Sequence, residues 1–216
     1  MSINKTYAVF GLGRYGRAVA EELVKNGADV IAVDKNEELV NDAAQVIPVC
    51  KCADVTEPEV IEKLDIADVD VVVIAMANNL EATVMAITLC KEVGVKTVIA
   101  KCVEEMQGRI FNRVGADRVV FPEKEAGTRL GKNLLSSGFV DIVELSEDVS
   151  MVELGVKPQW VGKSLVELHL RKKYSINVVA ILNGDEVITN IDPEMPLTEN
   201  MKIIVIADVN KLEKLK

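Results

Sequence analysis

The sequence predicts an α/β protein that begins with a doubly wound parallel sheet and ends with a small α+β domain. Short apolar runs alternate with helical patterns through the first half, and a glycine-rich turn follows the first run directly. After residue 138 the runs become alternating strands joined by a hairpin turn, which is typical of a separate module. At 216 residues the chain has room for two modest domains.

The strands predicted in the first half are nearly continuous apolar runs rich in Val and Ile. Such runs indicate parallel strands that are covered by helices on both faces, so the sheet is expected to be buried. The predicted strands comprise residues 6–10, 30–33, 46–50, 71–75, 97–100 and 118–121.

Helical patterns lie between these runs, and several carry end signals. The first stops at Gly27, and Asn36 is a natural N-cap for the second. Thr56 and Glu59 have the spacing of a capping box, with Pro58 in the first turn of a third helix. Longer apolar stripes predict a fourth helix over 80–89 and a fifth over 106–114.

The first turn between a strand and a helix has the sequence GLGRYG at residues 11–16. Gly11 suits the tight turn, Gly13 lets a phosphate approach the backbone, and Gly16 lets the helix pack on the sheet. Asp34 ends the second strand about 20 residues further on, where a carboxylate accepts hydrogen bonds from ribose hydroxyls. Together they predict a Rossmann-like nucleotide-binding site, and the alternative is a turn that only packs.

Arg14 adds a full positive charge at the start of the first helix. A dinucleotide does not need this charge, whereas a ligand that ends in further phosphates, such as ATP or ADP, can pair with it. The alternative is a helix residue that faces solvent. Because Asp34 repels a 2′-phosphate, NADP is disfavoured, and NAD or NADH remains the other ligand class.

Residues after the other strands complete the predicted site, because ligands of a doubly wound sheet lie beyond the carboxyl ends of its strands. Asp54 can approach the adenine or ribose, or it can cap the next helix. Asn78 and Asn79 follow the fourth strand, where turn and capping roles compete with ligand contact. The other residues predicted to belong to the site are Tyr15, Lys35, Ala75 and Lys101.

Catalytic machinery is missing from this pattern. A dehydrogenase needs a group that moves the substrate proton. The only histidine, His169, lies in the second half and is expected at the surface or an interface, and no Tyr is followed by Lys four residues later. The sequence therefore favours a nucleotide sensor that is not an enzyme. The alternative is an NAD(H)-dependent oxidoreductase with unrecognised catalytic residues.

Composition and charge narrow the class of partner. The net charge is −9 and neither half is basic, which argues against nucleic acid as a partner. The most apolar run, 69–77, is far shorter than the roughly 20 residues of a spanning helix. The polar N-terminus lacks a signal-peptide pattern, so a cytoplasmic protein is expected. The four cysteines are interpreted as buried small residues rather than as a zinc site.

The second half is predicted to begin after a helix that Pro122 opens and that ends before the SSG sequence at 136–138. The predicted domains are a nucleotide-binding lobe at 1–121, a crossover helix at 122–137 and a C-terminal lobe at 138–216. Strands are predicted in this last lobe over 140–145, 151–156, 177–182, 187–190 and 202–207.

A helix is predicted over 165–172 in the C-terminal lobe, with Ser164 and Glu167 as its capping box. Asn183 and Gly184 predict the hairpin turn. The run RKK at 171–173 is interpreted as cations that close a helix C-terminus. The alternative is a second anionic-ligand site, with Asn177 on the next strand able to contact a base.

The order of these parts resembles the regulatory subunits of Trk and Ktr potassium uptake systems across essentially the whole chain. The resemblance is carried by AVFGLGRYG at residues 8–16, VD at 33–34, GADR at 115–118 and PEK at 122–124. Those subunits have an N-terminal RCK lobe, a crossover helix and a C-terminal RCK lobe. The resemblance therefore implies a TrkA- or KtrA-like peripheral subunit on the cytosolic face of the cell membrane.

The resemblance also implies partners, ligands and site residues. Dimers would assemble into a homo-oligomeric ring beneath a TrkH- or KtrB-like potassium transporter subunit. Family N-lobes bind ATP and ADP, which favour different ring shapes, and NAD or NADH has been associated with Trk-type members. Arg14 matches the family arginine that reaches the terminal phosphate. Glu123 matches a glutamate that helps to hold a divalent cation, Mg²⁺ or Ca²⁺, between protomers.

The C-lobe carries a further implied site, because residues 166–177 look like the region that binds cyclic di-AMP in some members. Arg171 and Asn177 are the expected contacts. The mechanism implied for the whole chain is a gating switch in which the nucleotide stabilises one arrangement of paired lobes. A nucleotide-binding transcription regulator is a third alternative, but the sequence has no basic helix-turn-helix segment.

Overall fold

The structure, a computed structural model, describes residues 5–76, 79–135, 139–146 and 148–208. The chain divides into two units, Met1–Glu125 and Ala126–Lys216.

The first unit is built on a six-stranded parallel sheet with the order β3-β2-β1-β4-β5-β6. The strand order reverses between β1 and β4, so a crevice is expected at the carboxyl ends of these two strands. The strands are β1 Thr6–Phe10, β2 Asp29–Asp34, β3 Val49–Cys52, β4 Val71–Ile74, β5 Thr97–Lys101 and β6 Arg118–Val120.

Helices alternate with these strands, as the apolar patterns predict. They are α1 Arg14–Lys25, α2 Glu37–Ala43, α3 Pro58–Lys63, α4 Leu80–Glu92, α5 Glu105–Arg113 and α6 Pro122–Leu135. Asn36 caps α2, since its Oδ1 accepts hydrogen bonds from the backbone N–H groups of Glu38 and Leu39. The helix α6 begins in the first unit and continues past its last residue, Glu125.

Apolar side chains cover the sheet on both faces, which explains the continuous apolar runs. Along β1, Ala8 and Phe10 pack into one buried cluster with Ile74 and Phe111. Val9 points to the opposite face and packs into a second cluster with members that include Leu12. This alternation follows from the period of two along a strand, and it places β1 at the centre of the core.

Two local predictions in this unit are wrong. The third strand begins at Val49 rather than at residue 46, because the N–H groups of Val46 and Ile47 bond back to Ala43 and Pro48 has no N–H to pair. The expected capping box at Thr56 does not form. Thr56 instead donates to Asp54, and the helix begins after Glu57, with Pro58 in its first turn as predicted.

The second unit is a five-stranded antiparallel sheet with the order β10-β9-β11-β8-β7. Its strands are β7 Phe139–Glu144, β8 Val149–Gly155, β9 Asn177–Asn183, β10 Glu186–Ile188 and β11 Met201–Asp208, and its short helices are α7 Leu165–Leu168 and α8 Leu170–Tyr174. Trp160, Ile181 and Ile203 are among the buried core residues. The α/β fold class, with its doubly wound parallel sheet and small α+β lobe, is confirmed.

The single helix predicted over 165–172 is wrong, because His169 separates α7 from α8 with a left-handed backbone (φ +48°). The capping box of Ser164 and Glu167 forms as predicted. The hairpin between β9 and β10 also forms. Asn183 pairs with Glu186, so the loop consists of Gly184 and Asp185 rather than of Asn183 and Gly184. Gly184 supplies the positive φ of +61° that this turn requires.

Within the described residues, no helix combines the length and the apolar character that crossing a membrane requires.

Candidate functional site

A cavity of about 900 Å³ opens at the carboxyl ends of the central strands of the first unit. It lies at the point where the strand order reverses, which is where ligands of doubly wound sheets bind. A cavity of this size accommodates a nucleotide. Its lining residues are Gly13, Arg14, Tyr15, Ala18, Val33, Asp34, Lys35, Ala53, Asp54, Val55, Ala75, Met76, Asn79, Ala82, Lys101, Val103 and Glu123.

Two glycines of the GLGRYG turn are required by the fold itself. Gly11 has a φ of +92°, and its N–H donates to the carbonyl of Val33 at 2.8 Å. A Cβ on Gly16 would lie 1.9 Å from the carbonyl oxygen of Gly11. The turn can therefore pass between the sheet and α1 only with glycine at these two positions.

Gly13 has a different reason to be small. Its φ of −63° suits any residue, and a Cβ built on it meets nothing within 4 Å. Gly13 caps α1 without a side-chain hydrogen bond, and no acidic residue stands in the first turn. Gly13, Arg14 and Tyr15 line the cavity, and in the described part of the chain no side chain caps the first N–H groups of α1. This is the arrangement that binds anions at helix N-termini.

Asp34 holds the glycine-rich turn in place. Its Oδ2 accepts a hydrogen bond from the Leu12 N–H at 2.7 Å, and its Oδ1 accepts one from the Asn36 N–H at 2.8 Å. A carboxylate oxygen has two lone pairs, so each oxygen can accept one further bond. Asp34 thus positions the turn and still offers the acceptor that was predicted for ribose hydroxyls.

Asp54 and Lys35 form a second polar group on the cavity wall. Lys35 Nζ lies 3.7 Å from Asp54 Oδ2, and Asp54 Oδ1 accepts hydrogen bonds from the Thr56 hydroxyl at 2.8 Å and the Thr56 N–H at 3.1 Å. The hydrogen bonds from Thr56, with a smaller contribution from Lys35, hold the pKa of Asp54 below its ordinary value. Asp54 is therefore a carboxylate at neutral pH.

Arg14 has no hydrogen-bond or ion-pair partner in the part of the chain that the structure describes, and it lines the cavity at the start of α1. Arg17, one turn later, differs: its Nε lies 2.7 Å from Glu21 Oε1, and its Nη1 lies 3.7 Å from Asp42 Oδ2. Among the described cations that line the cavity, Arg14 is therefore the one that an anionic ligand can bind without displacing a carboxylate.

Tyr15, Lys101 and Glu123 meet at the wall formed by β5 and the first turn of α6. Lys101 Nζ lies 2.5 Å from Glu123 Oε1 and 5.6 Å from the centroid of the Tyr15 ring. The hydrogen bond from Lys101 lowers the pKa of Glu123. Burial, together with the charge of Glu125, raises the pKa of Tyr15. The structure thus pairs two residues that the sequence predicted for different roles, one for nucleotide and one for metal.

The segment after β4 supplies the remaining wall. Ala75 lines the cavity and its N–H donates to the carbonyl of Phe10 at 2.7 Å. Asn79 lines it as well and caps α4 through a hydrogen bond from the Ala82 N–H, so its predicted capping role is confirmed. Asn78 lies outside the described residues. Met76, in the same segment, also lines the cavity. The apolar residues Val55 and Val103 line it too and were not predicted, although each follows shortly after a strand.

Glu123 was expected to help to hold a divalent cation. Among the described residues, no group of three or more His, Cys, Asp or Glu residues could hold a metal ion. The cysteines are free. Cys90 and Cys102 are buried, as predicted, and burial raises the pKa of their thiols to about 12 and about 11. The same prediction is wrong for Cys52, which is exposed, and for Cys50, which is half-buried, because β3 lies at the edge of the sheet.

The residues predicted for a second ligand site lie in the second unit. Arg171 is exposed on α8, whose last turn also carries Lys172 and Lys173, and Asn177 is exposed at the start of β9. Ser175 connects the two elements with a left-handed backbone (φ +55°). The cations therefore stand at a helix C-terminus, where they are favourable without a ligand. His169 is exposed, in agreement with the surface role expected for it.

Comparison with family models gives two matches in chain order. Residues 7–122 match the TrkA-N domain, and residues 149–216 match the TrkA-C domain. The first match covers all the residues that line the cavity except Glu123.

Two bacterial potassium uptake proteins are similar to the chain over nearly its whole length. The Ktr system potassium uptake protein A of Vibrio alginolyticus is 35% identical over 214 residues, which are 99% of this chain and 97% of that protein. The Ktr system potassium uptake protein C of Bacillus subtilis (strain 168) is 33% identical over 215 residues, or 98% of this chain and 97% of that protein.

Solved structures with the same fold include two of the GsuK channel. The channel bound to NAD aligns with 98% of this chain at a TM-score of 0.55 and 21% identity, and this chain spans 38% of it. GsuK bound to ADP aligns with 59% of this chain at a TM-score of 0.51 and 17% identity, and the alignment spans 34% of that chain. At these identities the likeness shows the fold.

Proposed function

Because this chain belongs to the family of TrkA- and KtrA-like RCK regulatory subunits of Trk and Ktr potassium uptake systems, we propose that it senses a nucleotide in the cavity of its first unit and thereby gates a membrane potassium transporter. The observation that carries the proposal is the anion cradle at α1. It combines Gly13, whose Cβ position is open, with first-turn N–H groups of α1 that no side chain caps and with Arg14, which has no partner among the described residues.

The ligand proposed for this cavity is ATP or ADP. Arg14 has no protein carboxylate to neutralise it among the described residues, so a terminal phosphate gives it a partner. Asp34 supports an unmodified ribose, since its oxygens can accept hydroxyl hydrogen bonds and would repel a 2′-phosphate. NAD or NADH is the second ligand class, and the fold shared with GsuK, solved with NAD and with ADP, is compatible with either.

Gating follows if the two nucleotide states differ in their contact with Arg14. A ligand that reaches Arg14 stabilises the lobe arrangement in which this contact forms, and a shorter ligand does not. A coupling of about 1–3 kcal/mol is enough for a useful switch. The response reaches the transporter through a ring of dimers, so the proposed partners are further copies of this chain and a TrkH- or KtrB-like membrane subunit.

Two finer assignments belong to the same proposal. Glu123 would hold Mg²⁺ or Ca²⁺ only together with phosphate oxygens and a second copy of the chain, since its own chain supplies no further ligand cluster among the described residues. Arg171 and Asn177 would bind cyclic di-AMP in the second unit. Their exposure leaves both side chains accessible to such a ligand. The proposed location is the cytosolic face of the cell membrane.

Calorimetric titration of the purified protein with ATP, ADP, NADH and cyclic di-AMP, with and without Mg²⁺, tests the proposal. ATP and ADP that bind with different affinities support the switch, and flux through vesicles that contain the membrane subunit then measures the gating. NADH binding alone, joined by hydride transfer to a substrate, would favour the oxidoreductase alternative. Absence of any nucleotide binding contradicts the proposal.

A further inference from the structure

Lys101 differs from the other cations of the cavity in burial and in pairing. Its side chain is 13% exposed and its Nζ lies 2.5 Å from Glu123 Oε1. Lys35 is 67% exposed, and its Nζ is 3.7 Å from Asp54. Short distance and low exposure strengthen a charged hydrogen bond. Lys101 is therefore already bound to a carboxylate, whereas Arg14 has no ion-pair partner among the described residues.

The pair of Lys101 and Glu123 connects a strand of the parallel sheet to the helix α6. Lys101 is the last residue of β5, and its side chain lines the cavity. Glu123 is the second residue of α6, which begins in the first unit and runs on to Leu135. The pair therefore joins the wall of the cavity directly to the helix that leaves the first unit.

A terminal phosphate in the cavity competes with Glu123 for Lys101. Phosphate carries more charge than one carboxylate and offers more acceptor oxygens. The ammonium of lysine sits on a flexible stem with three donors, so it can change partner without movement of the backbone. Glu123, at 66% exposed, can return to water when it loses Lys101.

We infer that Lys101 exchanges Glu123 for the terminal phosphate of the bound nucleotide, and that this exchange frees the first turn of α6 from the cavity wall. The inference rests on the proposed function, because it requires a nucleotide in the cavity. The inference gives Lys101 a role that the sequence pattern does not reveal. By changing its partner, the lysine converts binding of a nucleotide in the cavity into a change at α6.

The chain offers a matched control for this exchange. Lys124, the next residue along α6, forms an ion pair with Glu105 of α5, with a distance of 2.6 Å between Nζ and Oε1. This pair also ties the first turn of α6 to a neighbouring element, but neither of its residues lines the cavity. Both side chains are largely exposed, so the pair contributes little to stability, and Lys124→Met removes a charge from the first turn of α6 without removing one from the ligand site.

Calorimetry with ATP in the presence of EDTA separates the exchange from a purely structural pair, since no divalent cation then contributes. Lys101→Met should lower the affinity for ATP about tenfold, because the phosphate loses a charged donor. Glu123→Gln should raise it about two- to fivefold, because Lys101 no longer has to leave a partner. Lys124→Met should leave it unchanged, and adenosine should bind all four proteins equally.

Hydrogen exchange measures the release of the helix. Addition of ATP should speed amide exchange in α6 of the wild type and of Lys124→Met, but not in Lys101→Met at saturating ATP. An unchanged or lower ATP affinity in Glu123→Gln, or an equal α6 response in Lys101→Met, overturns the inference alone. Failure of the wild type to bind any nucleotide contradicts the proposed function as well.

Discussion

The guanidinium of Arg14 is the residue-scale feature on which ligand discrimination depends. It stands at the start of α1, lines the cavity and has no protein partner in the described chain. Arg14→Ala should reduce the preference between ATP and ADP about tenfold, because one charged hydrogen-bond donor to the terminal phosphate is lost. Binding of adenosine, which has no phosphate, should not change. Calorimetric titration with the three ligands measures both quantities.

Arg17→Ala is the control for this prediction, because Arg17 lies on the same helix but is engaged by Glu21 and Asp42. It should keep the wild-type ratio of ATP to ADP affinities. If Arg14→Ala also keeps that ratio, Arg14 has no part in discrimination and is a solvent-facing helix residue.

Gly16 and Gly13 should respond oppositely to the same substitution. A Cβ at Gly16 would lie 1.9 Å from the carbonyl oxygen of Gly11, so Gly16→Ala should lower the free energy of unfolding by at least about 2 kcal/mol. Gly13→Ala meets nothing within 4 Å. The poorer N-cap and the lower entropy of the unfolded chain then offset each other to within about 0.5 kcal/mol.

Urea denaturation of the two glycine variants measures the difference, and titration with ATP follows for Gly13→Ala. The added methyl group of Gly13→Ala occupies open space beside a residue that lines the cavity. ATP should therefore bind more weakly to this variant, although its stability is normal. Equal stability of both variants would show that the turn relaxes around Gly16.

At the scale of elements, the break between α7 and α8 stores backbone strain at His169. Its φ of +48° lies in the left-handed region, which costs a residue with a Cβ about 1–2 kcal/mol. His169→Gly removes this cost but adds conformational entropy to the unfolded chain. The variant should therefore be more stable by about 0.5–1 kcal/mol. Fluorescence of Trp160, the single tryptophan and a buried residue of the same unit, follows the unfolding.

His169→Ala separates the backbone effect from the loss of the imidazole, because alanine keeps the Cβ and hence the strain. It should not be stabilised. A similar gain in both variants would mean that the side chain, rather than the φ angle, disfavours the native state.

Elements of the first unit are predictable where several local signals agree. The apolar pattern predicts the strand β1, capping chemistry predicts the N-cap Asn36, and glycine spacing predicts the turn at 11–16. The shift of β3 to Val49 follows from Pro48, a signal that was present but outweighed by the apolar Val46 and Ile47. The break at His169 has no comparable signal, since histidine tolerates a left-handed backbone without requiring it.

In the candidate site, too, the residues that line the cavity were predictable from local sequence, whereas contacts between residues of different elements were not. Residues after strand ends were predicted to face one cavity, and the described ones among them line it, except for Gly11 and Gly16 of the turn. Which of them pair was not predictable. Lys101 and Glu123 are 22 residues apart and meet only because β5 and β6 are neighbours, and the pair of Lys35 with Asp54 likewise depends on β2 lying beside β3.

At the scale of the whole molecule, the two units should differ in their response to acid. Asp70 accepts hydrogen bonds from Lys96 and from the Thr6 N–H, and these contacts lower its pKa. The pKa is also lowered at Asp54, Glu105, Asp117 and Glu123 in the first unit, but within the described second unit only at Glu167.

A carboxylate whose folded pKa is lowered stabilises the fold above its unfolded pKa of about 4, and this stability is lost as the pH falls through the folded value. The first unit should therefore lose more stability than the second between about pH 5 and pH 3. Hydrogen exchange of the amides in β1–β6, compared with Trp160 fluorescence for the second unit, measures the two responses. Asp70→Asn should reduce the acid sensitivity of the first unit only, and equal acid responses of the two units contradict the prediction.

The charges that line the cavity cancel, so the net charge of the whole chain determines how fast a nucleotide reaches the site. Three cations and three carboxylates line it, on a chain whose net charge is −9. A polyphosphate that approaches from solution is therefore repelled by the protein as a whole until it lies within a few ångströms of Arg14. Salt screens repulsion over distances beyond about 10 Å. Nucleotide capture by this protein should thus become faster as ionic strength rises, contrary to the behaviour of binding sites that attract their ligands by a positive field.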